Sequence, residues 1–137
     1  MHKPLKVYVL GSTSFMHHMV ECKNKLIELG YDGWIHEDYE AFVRGEKLEI
    51  VERARNGEHA QVKRENNYLK VHYQHILASD VILFVNDEKN GIQNYVGGNV
   101  LMEMGQAYVN DRPIFLLNDL PTKPSYVEEI KAMDPVC

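Results

Sequence analysis

Apolar residues along the chain form short runs that alternate with amphipathic segments. Runs at residues 5–10, 33–36, 80–85 and 113–117 predict four strands, of which the first and third are apolar enough to be buried on both faces. Apolar residues at helical spacing follow the first strand and end at Gly30, a residue type that often closes a helix in the left-handed conformation. This alternation predicts an α/β fold with parallel strands.

Residues 37–79 interrupt the alternation with a charged, helix-prone insertion. We predict helices at residues 38–43, 47–55 and 59–78. The longest of them carries an apolar stripe formed by Leu69, Tyr73, Ile76 and Leu77.

The end of the chain predicts one more helix. Ser125 and Glu128 have the spacing of a capping box, so we expect a helix that begins after Ser125 and ends near Met133. Only Val136 and Cys137 remain for a fifth strand, which is therefore either vestigial or outside this sequence.

The pattern as a whole predicts an open, mainly parallel sheet of four to five strands with helices on both faces, of the flavodoxin-like or Rossmann-like kind. In such folds, ligands bind beyond the carboxyl ends of the strands. The polar and glycine residues expected at that edge, and hence our candidate binding residues, are Gly11, Ser12, Thr13, Ser14, Asn86, Gly97, Gly98, Asn99 and Asn118.

Glu103 is the carboxylate most suited to chemistry in this region. Asn99, Glu103, Gln106 and Asn110 recur at helical spacing, so they form either a solvated helix face or one side of a binding crevice. Two features support the second interpretation: the helix begins at the glycine pair that precedes Asn99, and it packs on the sheet through its apolar face.

Two other candidates have simpler alternatives. The loop of Gly11 and Ser12 to Ser14 offers N–H and hydroxyl donors to an anion, but it lacks the P-loop lysine and the repeated glycines of a dinucleotide site. It is equally well an ordinary turn with Ser14 as the helix N-cap. Asp80 begins a buried strand, where a local hydrogen-bonding role is the simpler explanation.

Composition narrows the class of protein. The 137 residues are 45% hydrophobic, which suits a single domain over residues 1–137, and the net charge of -5 argues against a nucleic-acid polymer as partner. Cys22 and Cys137 have neither disulfide-framework nor zinc-site spacing, so we expect a reducing, cytoplasmic setting with no metal and no cofactor. No apolar run is long enough to predict a membrane partner.

The chain resembles the nucleoside 2-deoxyribosyltransferase-like superfamily in two features. One is the strand that begins with Asp80, and the other is the later run from Gly98 to Ala107, which contains Glu103 and Gly105. This superfamily includes the 2′-deoxynucleoside 5′-phosphate N-hydrolases. Its hallmark is a strand-opening Asp and then a glycine-rich approach to a Glu-x-Gly-x-Ala helix. The resemblance covers most of the chain, although the insertion is long for the smaller members.

The resemblance implies that Glu103 attacks the anomeric carbon of a nucleoside or nucleotide and forms a glycosyl-enzyme ester. It also implies that Asp80 orients the sugar or protonates the departing base, and that the loop after the first strand borders the sugar or phosphate. Two positions depart from the family pattern. Gly97 stands where transferases often carry an acid, and Asn99 stands where many members have glycine.

We therefore expect cleavage or exchange of the N-glycosidic bond of a (deoxy)nucleoside or nucleoside 5′-monophosphate. The alternative is a non-catalytic nucleotide-binding or sensor domain with the same fold. The resemblance further implies a homo-oligomer, as does the insertion, whose helices need a surface to bury their stripes.

Overall fold

The computed structural model describes residues 3–137 and contains a four-stranded sheet in which all strands are parallel. The strand order is β2-β1-β3-β4. The strands are β1 (Lys6–Gly11), β2 (Asp32–Trp34), β3 (Val81–Val85) and β4 (Ile114–Leu116). The open α/β fold expected from the sequence is thereby confirmed.

In the described part of the chain, seven α-helices connect and flank the strands. They are α1 (Met16–Glu28), α2 (Glu37–Val43), α3 (Leu48–Arg55), α4 (His59–Glu65), α5 (Tyr68–Leu77), α6 (Gly98–Val109) and α7 (Val127–Ala132), and a 3-10 turn at Thr13–Phe15 precedes α1. As predicted, Gly30 follows α1 with a positive φ of 94°. Within residues 3–137, no helix has the length and apolar content that crossing a membrane requires.

The sheet has a core on each face because alternate side chains of a strand point in opposite directions. Tyr8 and Leu10 belong to a core beneath α5, α6 and α7, whereas Val9 lies in a second core with Met19 of α1. The first core also contains Ile76, Ile82, Phe84, Val96, Val100, Met104, Ala107, Ile114, Leu116 and Ile130. Helix α6 is therefore fixed on the sheet by its apolar face.

The third helix of the insertion differs from its prediction. Residues 59–78 form two helices, α4 and α5, because Asn67 adopts the left-handed conformation with a φ of 54°. Asn66 accompanies the break, donating from its side-chain amide to the Val62 carbonyl at 2.9 Å. Asn tolerates left-handed φ better than most residues, so the Asn pair is the physical reason for the break.

The buried face of α5 is also rotated by one residue from the predicted stripe. Tyr68, His72 and Ile76 are buried, whereas Leu69 and Leu77 are exposed. The buried residues follow one another at intervals of four, which is ordinary helical spacing. Ile76 belongs to the predicted stripe and is buried as expected, whereas Tyr68 and His72 were missed because they are not aliphatic.

The C-terminal predictions have mixed outcomes. Helix α7 begins at Val127 with Tyr126 as its N-cap and no side-chain cap, so the predicted capping box of Ser125 and Glu128 does not form. Val136 makes a single parallel bridge to Phe115 instead of a full fifth strand. Its N–H donates to the Ile114 carbonyl at 2.9 Å.

The attachment of α6 to the sheet can be tested with two methionines of that helix. Met104 is fully buried and Met102 is 42% exposed. We expect Met104→Ala to lower the free energy of unfolding by about 2–5 kcal/mol, because it leaves a cavity in the core. Met102→Ala, the matched control, should change it by less than about 1 kcal/mol. Urea unfolding measures both, and equal losses would contradict the packing described here.

Candidate functional site

A cavity of about 490 Å³ lies at the carboxyl end of β1, between the start of α6 and the helical insertion. Volumes of this order are typical of small-molecule sites. Eight of the residues predicted from the sequence line it: Gly11, Ser12, Thr13, Ser14, Gly97, Gly98, Asn99 and Glu103. The insertion contributes most of the rest: Tyr39, Phe42, Ile50, Val51, Ala54, Arg55, His59, Val62, Lys63, Tyr68, Leu69 and His72.

The loop after β1 is held close to the neighbouring strand. A Cβ on Gly11 would lie 2.8 Å from the Val85 carbonyl oxygen, so only glycine fits at this approach. Ser12, not Ser14, caps the following turn: its hydroxyl accepts from the Ser14 N–H at 3.3 Å. Lys89 reaches the same hydroxyl, with its Nζ at 3.4 Å.

Glu103, in the second turn of α6, is buried against the cavity with only 6% of its surface exposed. The interpretation of a solvated helix face is therefore wrong at this residue. Within residues 3–137, no hydrogen bond is made to its carboxyl group. Burial raises the pKa of Glu103 to about 8, and the positive charge of Lys63 opposes this shift. At pH 7 the group is mostly protonated.

His72 is the polar neighbour of that carboxyl group. Its Nδ1 lies 3.9 Å from Glu103 Oε2 and 2.8 Å from the Tyr8 hydroxyl, and its Nε2 lies 3.1 Å from the Tyr39 hydroxyl. Burial, with the nearby His36, His75 and Lys63, lowers the pKa of His72 to about 3. The imidazole is therefore neutral, and one of the two tyrosines donates to it while the other accepts.

Further aromatic and histidine side chains surround His72 and keep it in place. The His36 ring lies 5.1 Å from the His72 ring, and His75 Nδ1 lies 3.1 Å from the Tyr8 hydroxyl that His72 shares. Tyr68 donates to Asp38 at 2.8 Å. Within the described residues, no group of three or more His, Cys, Asp or Glu side chains is arranged to hold a metal ion.

Three predicted site residues do not line the cavity. Asp80 lies at the amino end of β3, where its Oδ2 accepts from the Lys6 N–H at 2.8 Å. Asn86 is fully buried, donates to the Asp119 carbonyl at 2.9 Å and accepts from the Asn118 N–H at 2.8 Å. Asp80 thus makes a hydrogen bond at the start of its strand, as its simpler explanation held, although the partner is 74 residues away in the sequence. Asn86 and Asn118 hold the ends of β3 and β4 together.

Sequence reasoning missed the cavity residues of the insertion. The burial of His72 could have been predicted, because Tyr68, His72 and Ile76 recur every fourth residue and so share one face of a helix. Tyr39 had none, since its hydroxyl meets His72 only after α2 and α5 have packed together. Lys63 is unremarkable in a segment rich in charge.

Comparison with protein-family models found no match to the chain, and comparisons with curated proteins and with solved structures found none either. The resemblance to the nucleoside 2-deoxyribosyltransferase-like superfamily therefore stays a prediction that rests on the quoted residues.

The raised pKa of Glu103 predicts a dependence of stability on pH. Because the folded protein binds this proton more tightly than the unfolded chain, its contribution is complete below about pH 4.5 and is lost as pH rises through about 8. We expect Glu103→Gln to match the wild type near pH 4.5 and to exceed it at pH 9 by a few kcal/mol, as measured by chemical denaturation. An advantage of the same size at both pH values would contradict the buried, protonated carboxyl.

Proposed function

We propose that the protein cleaves or exchanges the N-glycosidic bond of a nucleoside or nucleotide, with Glu103 as the nucleophile. One observation carries the proposal: among residues 3–137, a single carboxyl group lines a cavity of small-molecule size at the carboxyl edge of a parallel sheet, and it is shielded from bulk water. The Glu-x-Gly-x-Ala pattern at residues 103–107 supports the assignment.

The reaction takes two steps. In the first, a Glu103 oxygen bonds to the anomeric carbon as the carbon–nitrogen bond breaks, and the base leaves with the bonding electron pair and takes a proton from water. In the second, water attacks the anomeric carbon, loses a proton to solvent and displaces the carboxylate. If a second base attacks instead of water, the outcome is exchange.

The nucleophile must be ionised before it attacks. With a pKa of about 8, about one tenth of the unliganded protein has an ionised Glu103 at pH 7. Lys63 stabilises the ionised form through its charge. Neutral His72 lies beside the carboxyl group, with its Nδ1 3.9 Å from Glu103 Oε2, and its hydrogen bonds to the Tyr8 and Tyr39 hydroxyls hold the ring there.

The other residues predicted from the sequence either line the cavity or lie away from it. Ser12, Thr13, Ser14, Gly98 and Asn99 line the cavity and are available to contact the sugar or an attached group. Asp80 has no part in this proposal, because its carboxylate is used at the amino end of the sheet.

A second candidate is a nucleotide-binding domain without catalysis. The protonation of Glu103 at neutral pH favours it, because a neutral carboxyl group donates one hydrogen bond and accepts others without attacking carbon. The two candidates differ in whether ligand is consumed.

The catalytic proposal is tested by incubating the protein with common nucleosides and their 5′-monophosphates and measuring free base by chromatography. We expect base release by the wild type and a loss of at least about 100-fold in Glu103→Gln, because the amide cannot form the ester. Glu129→Gln, which alters an exposed acid on α7, is the matched control. Undiminished release by Glu103→Gln would refute the assignment, and binding without release would favour the second candidate.

The raised pKa of Glu103 also predicts how base release depends on pH in the same assay. The value of kcat/KM should rise about tenfold per pH unit below pH 8 and level off above it, since only the ionised carboxylate attacks. A profile that is flat from pH 5 to pH 9 would show that the ionisation of Glu103 does not limit the reaction.

We also propose that the protein self-associates. Support comes from an apolar cleft of about 240 Å³ on the sheet, whose lining includes Leu83 of β3 and the exposed Phe115 of β4. Light scattering at micromolar concentration should give at least twice the 15.9 kDa chain mass, and a monomer would contradict this proposal.

A further inference from the structure

The cavity concentrates positive charge in a chain whose net charge is -5. Arg55, Lys63 and Lys89 all line it. Among the Asp and Glu residues of the described chain, Glu103 alone lines it, and that group is mostly protonated at neutral pH. An anion entering the cavity therefore meets three cations and little opposing charge.

These cations are free of the ion pairs that occupy other basic residues nearby. Within residues 3–137, none of the three forms a salt bridge, whereas Arg53 of α3 pairs with Glu65 at 2.7 Å and with Glu58 at 3.2 Å. Lys47, before α3, pairs with Asp38 at 2.7 Å. These paired basic residues lie outside the cavity, whereas the three cations without ion pairs line it.

The three cations reach the cavity from two separate parts of the fold. Arg55 ends α3 and Lys63 lies on α4, so both belong to the α3–α4 segment (residues 48–65). Lys89 follows β3, and its Nζ lies 3.4 Å from Ser12 Oγ and 5.0 Å from the centre of the Tyr95 ring. The α3–α4 segment is thus placed to bind a charged group that the sheet edge alone would bind more weakly.

We propose that Arg55 and Lys63 of the α3–α4 segment bind a phosphate group of the ligand, so that this insertion selects phosphorylated nucleosides over unphosphorylated ones. The nucleoside part of the ligand rests on the proposed function, whereas the selection for phosphate rests on the cations. A phosphate monoester carries a charge between -1.5 and -2 at pH 7 and three acceptor oxygens, about what a guanidinium and an ammonium can satisfy.

The size of the site favours a small ligand over a polymer. Backbone binding to nucleic acid needs basic residues spread along a surface, whereas these cations share one cavity of about 490 Å³ with the carboxyl group of Glu103. A nucleoside phosphate is small enough to contact both the cations and Glu103.

The test is calorimetric titration of the full chain with four 2′-deoxynucleoside 5′-monophosphates and the corresponding nucleosides. We expect at least one monophosphate to bind about tenfold or more tightly than its nucleoside, and this preference to weaken with added salt. In the double variant Arg55→Gln and Lys63→Gln, the preference for the monophosphate over its nucleoside should fall to about threefold or less. Arg64→Gln, next to Lys63 on α4 but exposed and outside the cavity, is the matched control and should keep it.

Thermal unfolding first establishes that the variants are folded. Equal affinity for the two ligand forms in the wild type, no detectable binding of either form, or an equal loss in Arg64→Gln would overturn the inference. Phosphate-dependent binding without base release would support it and refute the catalytic proposal. Base release with equal kcat/KM from both ligand forms would support catalysis and refute the selection for phosphate.

Discussion

The burial of the Glu103 carboxyl group determines the chemistry that this site can perform. Removing a carboxylate from water is unfavourable, so the group takes up a proton and its pKa rises to about 8. Because the carboxyl group is protonated and the His72 imidazole beside it is neutral, neither group needs a counter-ion. Once a ligand has filled the space, loss of that proton would produce a poorly solvated, reactive carboxylate.

The fold supplies this environment through a small number of constraints. Gly11 lets the end of β1 lie against the Val85 carbonyl, which brings the following loop to the cavity. The apolar face of α6, anchored by Met104, holds Glu103 beside the same space. The insertion then contributes His72, Arg55 and Lys63, so side chains from distant parts of the sequence meet at one site.

The sequence predicted the sheet, the placement of Glu103 and the loop after β1, because each depends on local patterns. Apolar runs identify buried strands, and the connectivity of an α/β fold fixes which loops share an edge. Asp80 shows the limit of such reasoning. The sequence predicted its place at the amino end of β3, but not its hydrogen-bond partner, the Lys6 N–H, because that contact depends on the pairing of β1 with β3. The family resemblance assigned Asp80 a role that its position does not support.

The insertion was less predictable for a different reason. Its helices pack through tyrosine and histidine, residue types that a hydrophobic pattern counts as polar or ambiguous. Asn67 ended a helix through a left-handed conformation that Asn adopts only in some contexts. The bonds of His72 to Tyr8 and Tyr39 span 64 and 33 residues, and no spacing rule connects residues so far apart.

The most direct measurement is a titration of the Glu103 carboxyl by NMR on protein labelled with ¹³C at the glutamate side-chain carboxyl. Its signal is the one that disappears in Glu103→Gln. We predict a midpoint near pH 8, because burial of the carboxyl group disfavours its charged form. A midpoint near 4.5, the value of an ordinary solvated glutamate, would contradict it.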